Sequence, residues 1–204
     1  MLMNRVESAL INSAPRRLLQ RLYEVPQLRR FGGPLPAGAR ALEIGCGPGY
    51  GAQLILERFG AATLDAVDLD PAMIARAQRR LRPYGDRVTL RVGDAADLTA
   101  SLGAADGSYD AVFDFAIIHH IPAWRDAVAE VARVLRRGGT FYFDEVTARA
   151  LARPSYRALF DHPTGDRFNA QQFVQACETV GLDVGDRCMT RIGGDYLLGA
   201  ARRR

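Results

Sequence analysis

The chain has 204 residues, of which 48% are hydrophobic and 25% are charged, a balance typical of a soluble globular protein with one sizeable core. No apolar run approaches the ~20 residues of a membrane-spanning helix, and residues 1–30 lack the compact apolar stretch of a secretory signal. The three cysteines form no CxxC pair, which argues against a disulfide framework or a cysteine zinc site and favours a cytoplasmic protein.

All 27 basic side chains are arginines, so mechanisms that need a lysine are excluded. The formal net charge is +4, but the arginine clusters are scattered along the chain. We interpret them as solvated helix faces and a frayed C-terminal tail rather than as a nucleic-acid footprint. Nucleic acid is therefore not the expected partner.

The elements follow in chain order. Apolar residues at helical spacing predict an N-terminal helical extension, which ends at the glycine- and proline-rich connector 31–38. From residue 39 the pattern predicts strands at 40–44, 63–69, 87–92, 110–117, 140–146, 182–191 and 195–201. It also predicts helices at 51–59, 70–82, 124–135, 148–160 and 170–180.

This alternation predicts an α/β fold, a Rossmann-like three-layer sandwich with helices on both faces of a mostly parallel seven-stranded sheet. A turn at Gly193 and Gly194 predicts that the last strand is antiparallel. We interpret the chain as a single domain with an extension at 1–37, a cofactor-binding core at 38–146 and a substrate-side region at 147–204.

A glycine loop follows the first predicted strand, at the edge of an open α/β sheet where ligands bind. Gly45, Gly47 and Gly49 allow the backbone to turn tightly and to approach a ligand closely. The N–H groups of the next helix favour an anionic group. Dinucleotide-binding loops have GxGxxG or GxGxxA, whereas Tyr50 occupies the third position here, so hydride transfer is disfavoured.

Two acidic residues end the next two predicted strands. Asp68 is suited to accept the hydroxyl groups of a ribose, and Asp94 to accept an adenine amino group. Either one alone fits a helix cap or a turn equally well. Together, after a glycine loop, they favour a nucleoside ligand.

Five motifs occur in order: ALEIGCGPGYG, AVDLDPAMIARA, RVGDAADL, YDAVFDFAIIHHIPAW and EVARVLRRGGTFYF. They resemble the successive motifs of class I S-adenosylmethionine-dependent methyltransferases, most closely the small-molecule branch that includes ubiquinone and menaquinone biosynthesis enzymes. The resemblance covers residues 38–146 continuously, and FNAQQFVQACETVGLDV resembles the family's penultimate helix and strand. It implies transfer of a methyl group from S-adenosyl-L-methionine to an O, C or N atom of a small organic metabolite, which leaves S-adenosyl-L-homocysteine.

The resemblance also implies roles for single residues. Glu43 would order the glycine loop and the methionine moiety, the three glycines would pack on methionine and ribose, and Phe115 would meet the methionine part. Cys46 lies where only a small side chain is tolerated. The cofactor-binding residues expected in this way are Glu43, Gly45, Cys46, Gly47, Gly49, Asp68, Leu69, Asp94, Ala95 and Phe115.

Methyl transfer needs a base only when the acceptor arrives protonated. His119 and His120 are candidates because they follow the fourth strand, although an imidazole there fits a loop hydrogen bond as well. Asp114 is a third candidate, facing the sulfonium or the substrate, or satisfied by Arg125 or backbone donors. No metal site is expected, since adjacent histidines have no third ligand at a suitable spacing.

The sequence does not identify the methyl acceptor. Aromatic residues suited to line its pocket are Tyr23, Trp124, Tyr156, Phe160 and Phe168. Two alternatives stay open: an S-adenosylmethionine-binding enzyme that catalyses a cyclisation or rearrangement, and, less favoured, an RNA methyltransferase. The oligomeric state is also left open, and a homodimer is one of the alternatives.

Overall fold

The computed structural model describes residues 13–159 and 165–204. Its strands are β1 (Arg40–Ile44), β2 (Thr63–Asp68), β3 (Val88–Val92), β4 (Tyr109–Phe115), β5 (Leu135–Val146), β6 (Leu182–Asp183), β7 (Cys188–Arg191) and β8 (Tyr196–Arg203). The first helix, α1, runs through three consecutive segments, Ala14–Leu19, Gln20–Glu24 and Val25–Gly32, and the second, α2, through Tyr50–Leu54 and Ile55–Phe59. The other α-helices described are α3 (Pro71–Leu81), α4 (Leu98–Leu102), α5 (Trp124–Val134), α6 (Ala148–Leu151), α7 (Pro154–Leu159) and α8 (Ala170–Thr179).

The sheet has the order β3-β2-β1-β4-β5-β8-β6, and β7 also pairs with β8. Strands β1 to β5 are parallel, and β8 runs antiparallel to β5. The predicted Rossmann-like fold with an antiparallel last strand is therefore confirmed.

The sheet has eight strands, so the prediction of seven was wrong by one. The predicted strand 182–191 is interrupted by a turn in which Arg187 N–H donates to the Val184 carbonyl at 3.1 Å and Gly185 has φ of 54°. The two pieces, β6 and β7, both pair with β8. The break therefore divides one predicted strand without changing the order of the sheet.

Helices cover both faces of the sheet, as the alternation predicts. On one face α5 and α8 bury Val128, Val131 and Phe173, and on the other α1, α2 and α3 bury Leu28, Ile55 and Ile74. The second face is held together by aromatic contacts, since the rings of Phe113 and Tyr142 stack at a centroid distance of 4.6 Å.

Helix α1 is the described part of the predicted N-terminal extension, and residues 1–12 lie outside the described residues. Its end packs tightly on the sheet, because a Cβ on Gly32 would lie 2.1 Å from the Tyr142 ring. The Tyr142 hydroxyl also donates to the Gly33 carbonyl at 2.9 Å. Among the described residues, no helix has the length and apolar character needed to cross a membrane.

The C-terminal arginines are part of the fold, so the prediction of a frayed tail was wrong. Strand β8 extends to Arg203, and Arg202 donates to the Gly32 carbonyl at 2.9 Å. Arg203 donates to the Val180 carbonyl at 2.6 Å, and Arg204 pairs with Glu178 at 2.7 Å. These side chains join the sheet edge to α1 and α8.

Candidate functional site

The glycine loop lies at the carboxyl end of β1, at the edge where parallel strands present their ends together. Gly45, Gly47 and Gly49 have φ of 65°, 52° and 84°, in the left-handed region that favours glycine. A Cβ on Gly45 would lie 2.1 Å from Ile117, and one on Gly49 would lie 3.1 Å from Ala77 of α3. The loop therefore needs glycine for its conformation and for its close packing against two other segments.

Asp68, the last residue of β2, holds this loop in place. Its carboxylate accepts Gly47 N–H at 2.7 Å and Asp70 N–H at 2.9 Å. Burial raises the pKa of Asp68, and these two hydrogen bonds oppose the rise. Each carboxylate oxygen can accept a second hydrogen bond, so the group is oriented for a further pair of donors.

A cavity opens beside the loop and brings together five of the ten predicted cofactor residues: Gly45, Asp68, Leu69, Asp94 and Ala95. Leu69 exposes 49% of its surface there, although large apolar side chains are usually buried. The Asp94 carboxylate accepts Ala96 N–H at 2.9 Å in a turn. The cavity is also lined by His120, one of the candidate bases, and by residues for which the sequence predicts no role: Asp70, Met73, Gly93, Ile117, Ile121 and Pro122.

The other five predicted cofactor residues, Glu43, Cys46, Gly47, Gly49 and Phe115, are not among those that line this cavity. Glu43 lies behind the loop, where a Cβ on Gly51 would be 2.0 Å from its Oε1. Its other oxygen, Oε2, has no hydrogen-bond partner in the described part of the chain. Burial raises the pKa of Glu43 well above its usual value, and the nearby Asp68 and Asp114 add to this. A positive charge bound in front of the loop would therefore lower the pKa of Glu43.

The two candidate histidines lie on a short turn after β4, and the structure gives them different surroundings. His120 lines the cavity with the glycine loop and is 1% exposed. His119 faces a separate small cavity beside Trp124 and Phe168. Its Nδ1 lies 2.7 Å from Glu145 Oε2. A carboxylate at Nδ1 favours the tautomer in which Nδ1 carries the proton and Nε2 accepts one.

Asp114 and Glu145 form a buried pair of carboxyl groups on β4 and β5. Burial and the neighbouring Glu145 raise the pKa of Asp114 well above its usual value. Burial raises the pKa of Glu145 to about 7, while hydrogen bonds from Asp114 and from backbone N–H groups hold it down. Asp114 is thus the protonated member of the pair. Of the two kinds of partner expected for Asp114, the structure shows the backbone donor, Ile117 N–H at 3.0 Å, whereas Arg125 pairs with Asp166 instead.

A second acidic cluster lies beneath α1. Asp144 on β5 is 4% exposed, and burial and the nearby Glu24 raise its pKa well above the usual value. Arg16 pairs with Glu24 at 2.6 Å and lies 3.7 Å from Asp144. Arg16 therefore links helix α1 to the carboxyl end of β5, a contact that the sequence patterns did not predict. The signal available in the sequence was the adjacent acidic pair, Asp144 and Glu145, near the end of a strand that is otherwise apolar.

The predicted acceptor-lining aromatics have different surroundings. Trp124 and Phe168 are 1% and 2% exposed in the core, with ring centroids 4.8 Å apart. The hydroxyl groups of Tyr156 and Tyr196 are 2.5 Å apart at the end of the sheet, and Tyr23 stacks with Arg191. Phe160 lies outside the described residues. Among the described residues, no group of three or more histidine, cysteine or acidic side chains is arranged to hold a metal ion.

The fold and the glycine-loop edge define a Rossmann-like α/β protein with a nucleoside-binding type of site. Residues 41–139 match the model of the methyltransferase domain family. A probable S-adenosylmethionine-dependent methyltransferase of Mycolicibacterium smegmatis is 33% identical over 150 residues, which cover 74% of this chain and 54% of that protein. The ubiquinone biosynthesis O-methyltransferase of Xanthomonas axonopodis pv. citri is 34% identical over 107 residues, 52% of this chain and 43% of that protein.

A solved structure agrees over the whole described fold. The Haloferax volcanii complex of the Trm112 methyltransferase activator with a methyltransferase gives a TM-score of 0.72 at 19% identity, covering 98% of each chain. The chain belongs to the class I S-adenosylmethionine-dependent methyltransferases, as the motifs predict. It spans about half the length of the curated relatives that it matches.

Proposed function

We propose that this chain is a cytoplasmic enzyme of one domain that transfers the methyl group of S-adenosylmethionine to an oxygen, carbon or nitrogen atom of a small organic molecule. The observation that carries the proposal is the cavity in which Gly45, Asp68 and Asp94 meet at the carboxyl ends of β1, β2 and β3. The family supplies the chemistry, since the sulfonium of its cofactor carries the methyl group. The free cysteines Cys46, Cys177 and Cys188 are compatible with a reducing compartment.

The described residues would supply three kinds of contact for the cofactor. Asp68 would accept the ribose hydroxyl groups, Leu69 would lie against the adenine, and Asp94 would accept its amino group. The glycine loop, held by Asp68, would pack on the methionine part. A positively charged ligand would favour the ionised forms of Glu43 and Asp68, because both carboxyl groups are buried and charges interact strongly in such an environment.

The acceptor would enter between α1 and the segment 147–159. Arg16, Asp144, Tyr156 and Tyr196 meet there, and the electrostatic effect of Arg16 reaches both tyrosines. A protic acceptor would need a base, and the contact of His119 with Glu145 supports this role for His119. Asp114, the protonated member of its pair, would support the negative charge on Glu145.

Calorimetry with S-adenosylhomocysteine tests the core of the proposal. We expect one site per chain and saturable binding, whereas no measurable heat at millimolar ligand would contradict it. A candidate acceptor is then incubated with S-adenosylmethionine. Release of S-adenosylhomocysteine in step with product supports methyl transfer, and conversion without release supports the cyclisation or rearrangement alternative. Steeply salt-dependent RNA binding would favour the RNA methyltransferase.

The tautomer of His119 can be tested without knowing the acceptor. At pH 8, above the pKa of about 7 that burial gives Glu145, the ionised carboxylate will hold the His119 proton on Nδ1. Nitrogen chemical shifts of the imidazole ring measure this directly, and the chain has only three histidines to assign. In Glu145→Ala the preference for Nδ1–H will be lost. His119→Asn and His120→Asn provide the assignments, and an Nε2–H tautomer in the wild type would refute the positioning role of Glu145.

A further inference from the structure

The outer side of α1 exposes three leucines within five residues. Leu18, Leu19 and Leu22 are 57%, 50% and 64% exposed. The other exposed large apolar side chains in the described chain are Leu69 and Val92, at the cofactor edge, and Ile192 at 63%. Ile192 follows Arg191, whose guanidinium lies 4.1 Å from the ring centroid of Tyr23 on α1. We name Leu18, Leu19 and Leu22 the leucine face.

Positive charge surrounds this face. Helix α1 carries five arginines, Arg16, Arg17, Arg21, Arg29 and Arg30, and one acidic residue. That residue, Glu24, is 7% exposed and is paired with Arg16. The solvent-facing side of α1 is therefore apolar and basic, with no exposed carboxylate of its own.

We propose that the leucine face docks on the surface of an anionic lipid bilayer. Leucines that enter the headgroup region and arginines that meet anionic headgroups are the two contributions that hold an amphipathic helix in a membrane interface. A second copy of the chain fits less well, because the three leucines expose on the order of 300 Å², against ~800 Å² per partner in a stable protein interface. Two such faces would also bring arginines of the same charge together.

The inner side of the same helix lies over the candidate site. Arg16 joins Glu24 and Asp144 there, and the Tyr50 hydroxyl of α2 donates to the Arg17 carbonyl at 3.3 Å. Docking would consequently place the acceptor entrance next to the bilayer. The docking itself does not depend on the proposed function, but one consequence does: the acceptor would be apolar enough to reach the enzyme from the lipid phase.

Vesicle sedimentation with the full chain tests the proposal. We expect the protein to pellet with vesicles of phosphatidylcholine containing a third phosphatidylglycerol, and at least tenfold less with phosphatidylcholine alone or in high salt. Leu18→Gln/Leu19→Gln/Leu22→Gln keeps helix propensity and should reduce the partition coefficient at least tenfold. Arg21→Gln/Arg29→Gln should reduce it about fivefold for each arginine removed.

Arg91→Gln/Arg125→Gln is the matched charge control, because Arg91 is exposed on the edge strand β3 and Arg125 is exposed on α5, which covers the face of the sheet opposite α1. Its binding should equal that of the wild type. Thermal unfolding confirms that each variant is folded. Failure of the wild type to bind the anionic vesicles, or equal binding by the leucine variant, would overturn the proposal. Sedimentation velocity that shows a dimer dissociated by the leucine substitutions, without vesicle binding, would assign the face to a second copy.

Discussion

An Asp68→Asn variant will bind S-adenosylhomocysteine roughly 10- to 100-fold more weakly than the wild type, because hydrogen bonds to a charged group contribute ~1.5–3 kcal/mol. Asp68 is the one predicted ribose ligand that is both in the cavity and firmly oriented, through Gly47 N–H and Asp70 N–H. An asparagine keeps one accepting oxygen but replaces the other with a donor. Calorimetry measures the change in dissociation constant.

The structural role of Asp68 must be separated from its role in binding. Loss of one N–H contact to the loop should lower the free energy of unfolding by about 1 kcal/mol, which leaves the chain folded. Asp86→Asn is the control for removing a carboxylate, since Asp86 is exposed in the 3₁₀-helical segment before β3. Its affinity should match that of the wild type.

A ligand that lacks the ribose hydroxyl groups completes the test. The wild type should bind the 2′,3′-dideoxy analogue of S-adenosylhomocysteine more weakly than the parent compound, whereas Asp68→Asn should discriminate little between the two. This non-additivity is expected only when the side chain and the hydroxyl groups interact directly. Equal discrimination by both proteins would mean that the ribose binds elsewhere.

Local signals predicted most of the fold. Strand β1 was predicted at its observed bounds, and Asp70 followed by Pro71 marked the start of α3, where the Asp70 side chain accepts Ala72 N–H. Errors arose where pairing with a distant strand decided the outcome. The strand predicted at 140–146 begins five residues earlier, directly after α5 ends at Val134, because Leu135 is already extended and pairs with Tyr109 in β4.

The candidate site divides in the same way. The glycine loop and Asp68 could be predicted because they follow strands that the pattern identifies. Glu145 could not, since its importance comes from the register that pairs Phe115 with Asp144 and brings β5 beside the turn of His119. No spacing within one segment contains this information. The same holds for Glu24, whose partner Asp144 is 120 residues away in the sequence.

The four buried carboxyl groups at this end of the sheet share one property. The pKa of Glu43, Asp114 and Asp144 is raised well above the usual value, chiefly by burial, and that of Glu145 is raised to about 7. Groups of this kind cost stability when they ionise and are retained where chemistry needs them. They also make the folded chain hold protons that the unfolded chain releases.

The free energy of unfolding will therefore fall as the pH rises from about 5 to 8, and Asp114→Asn will reduce this slope. In the unfolded chain Asp114 ionises near pH 4, whereas the folded chain keeps its proton to a higher pH. Between these two pKa values the folded state binds one more proton, so each such group lowers stability by about 1.4 kcal/mol per pH unit. The loss stops once the pH passes the folded pKa.

Asparagine mimics the protonated carboxyl of Asp114, since its oxygen can accept Ile117 N–H as Asp114 does at 3.0 Å and its amide can donate to Glu145. The pH dependence of the free energy of unfolding should thus decrease in this variant by up to the contribution of one proton.

Asp110→Asn on the same strand is the control. Partial burial raises the pKa of Asp110, but the hydrogen bonds from Arg40 N–H and Arg136 lower it by more, so the stabilising contribution of Asp110 is lost only in acid. Urea unfolding at pH 5, 6, 7 and 8 measures all three proteins. The free energy of unfolding should fall with pH at the same rate in the wild type and in Asp110→Asn, and less steeply in Asp114→Asn. The same slope in all three proteins would mean that Asp114 is ionised in the folded protein.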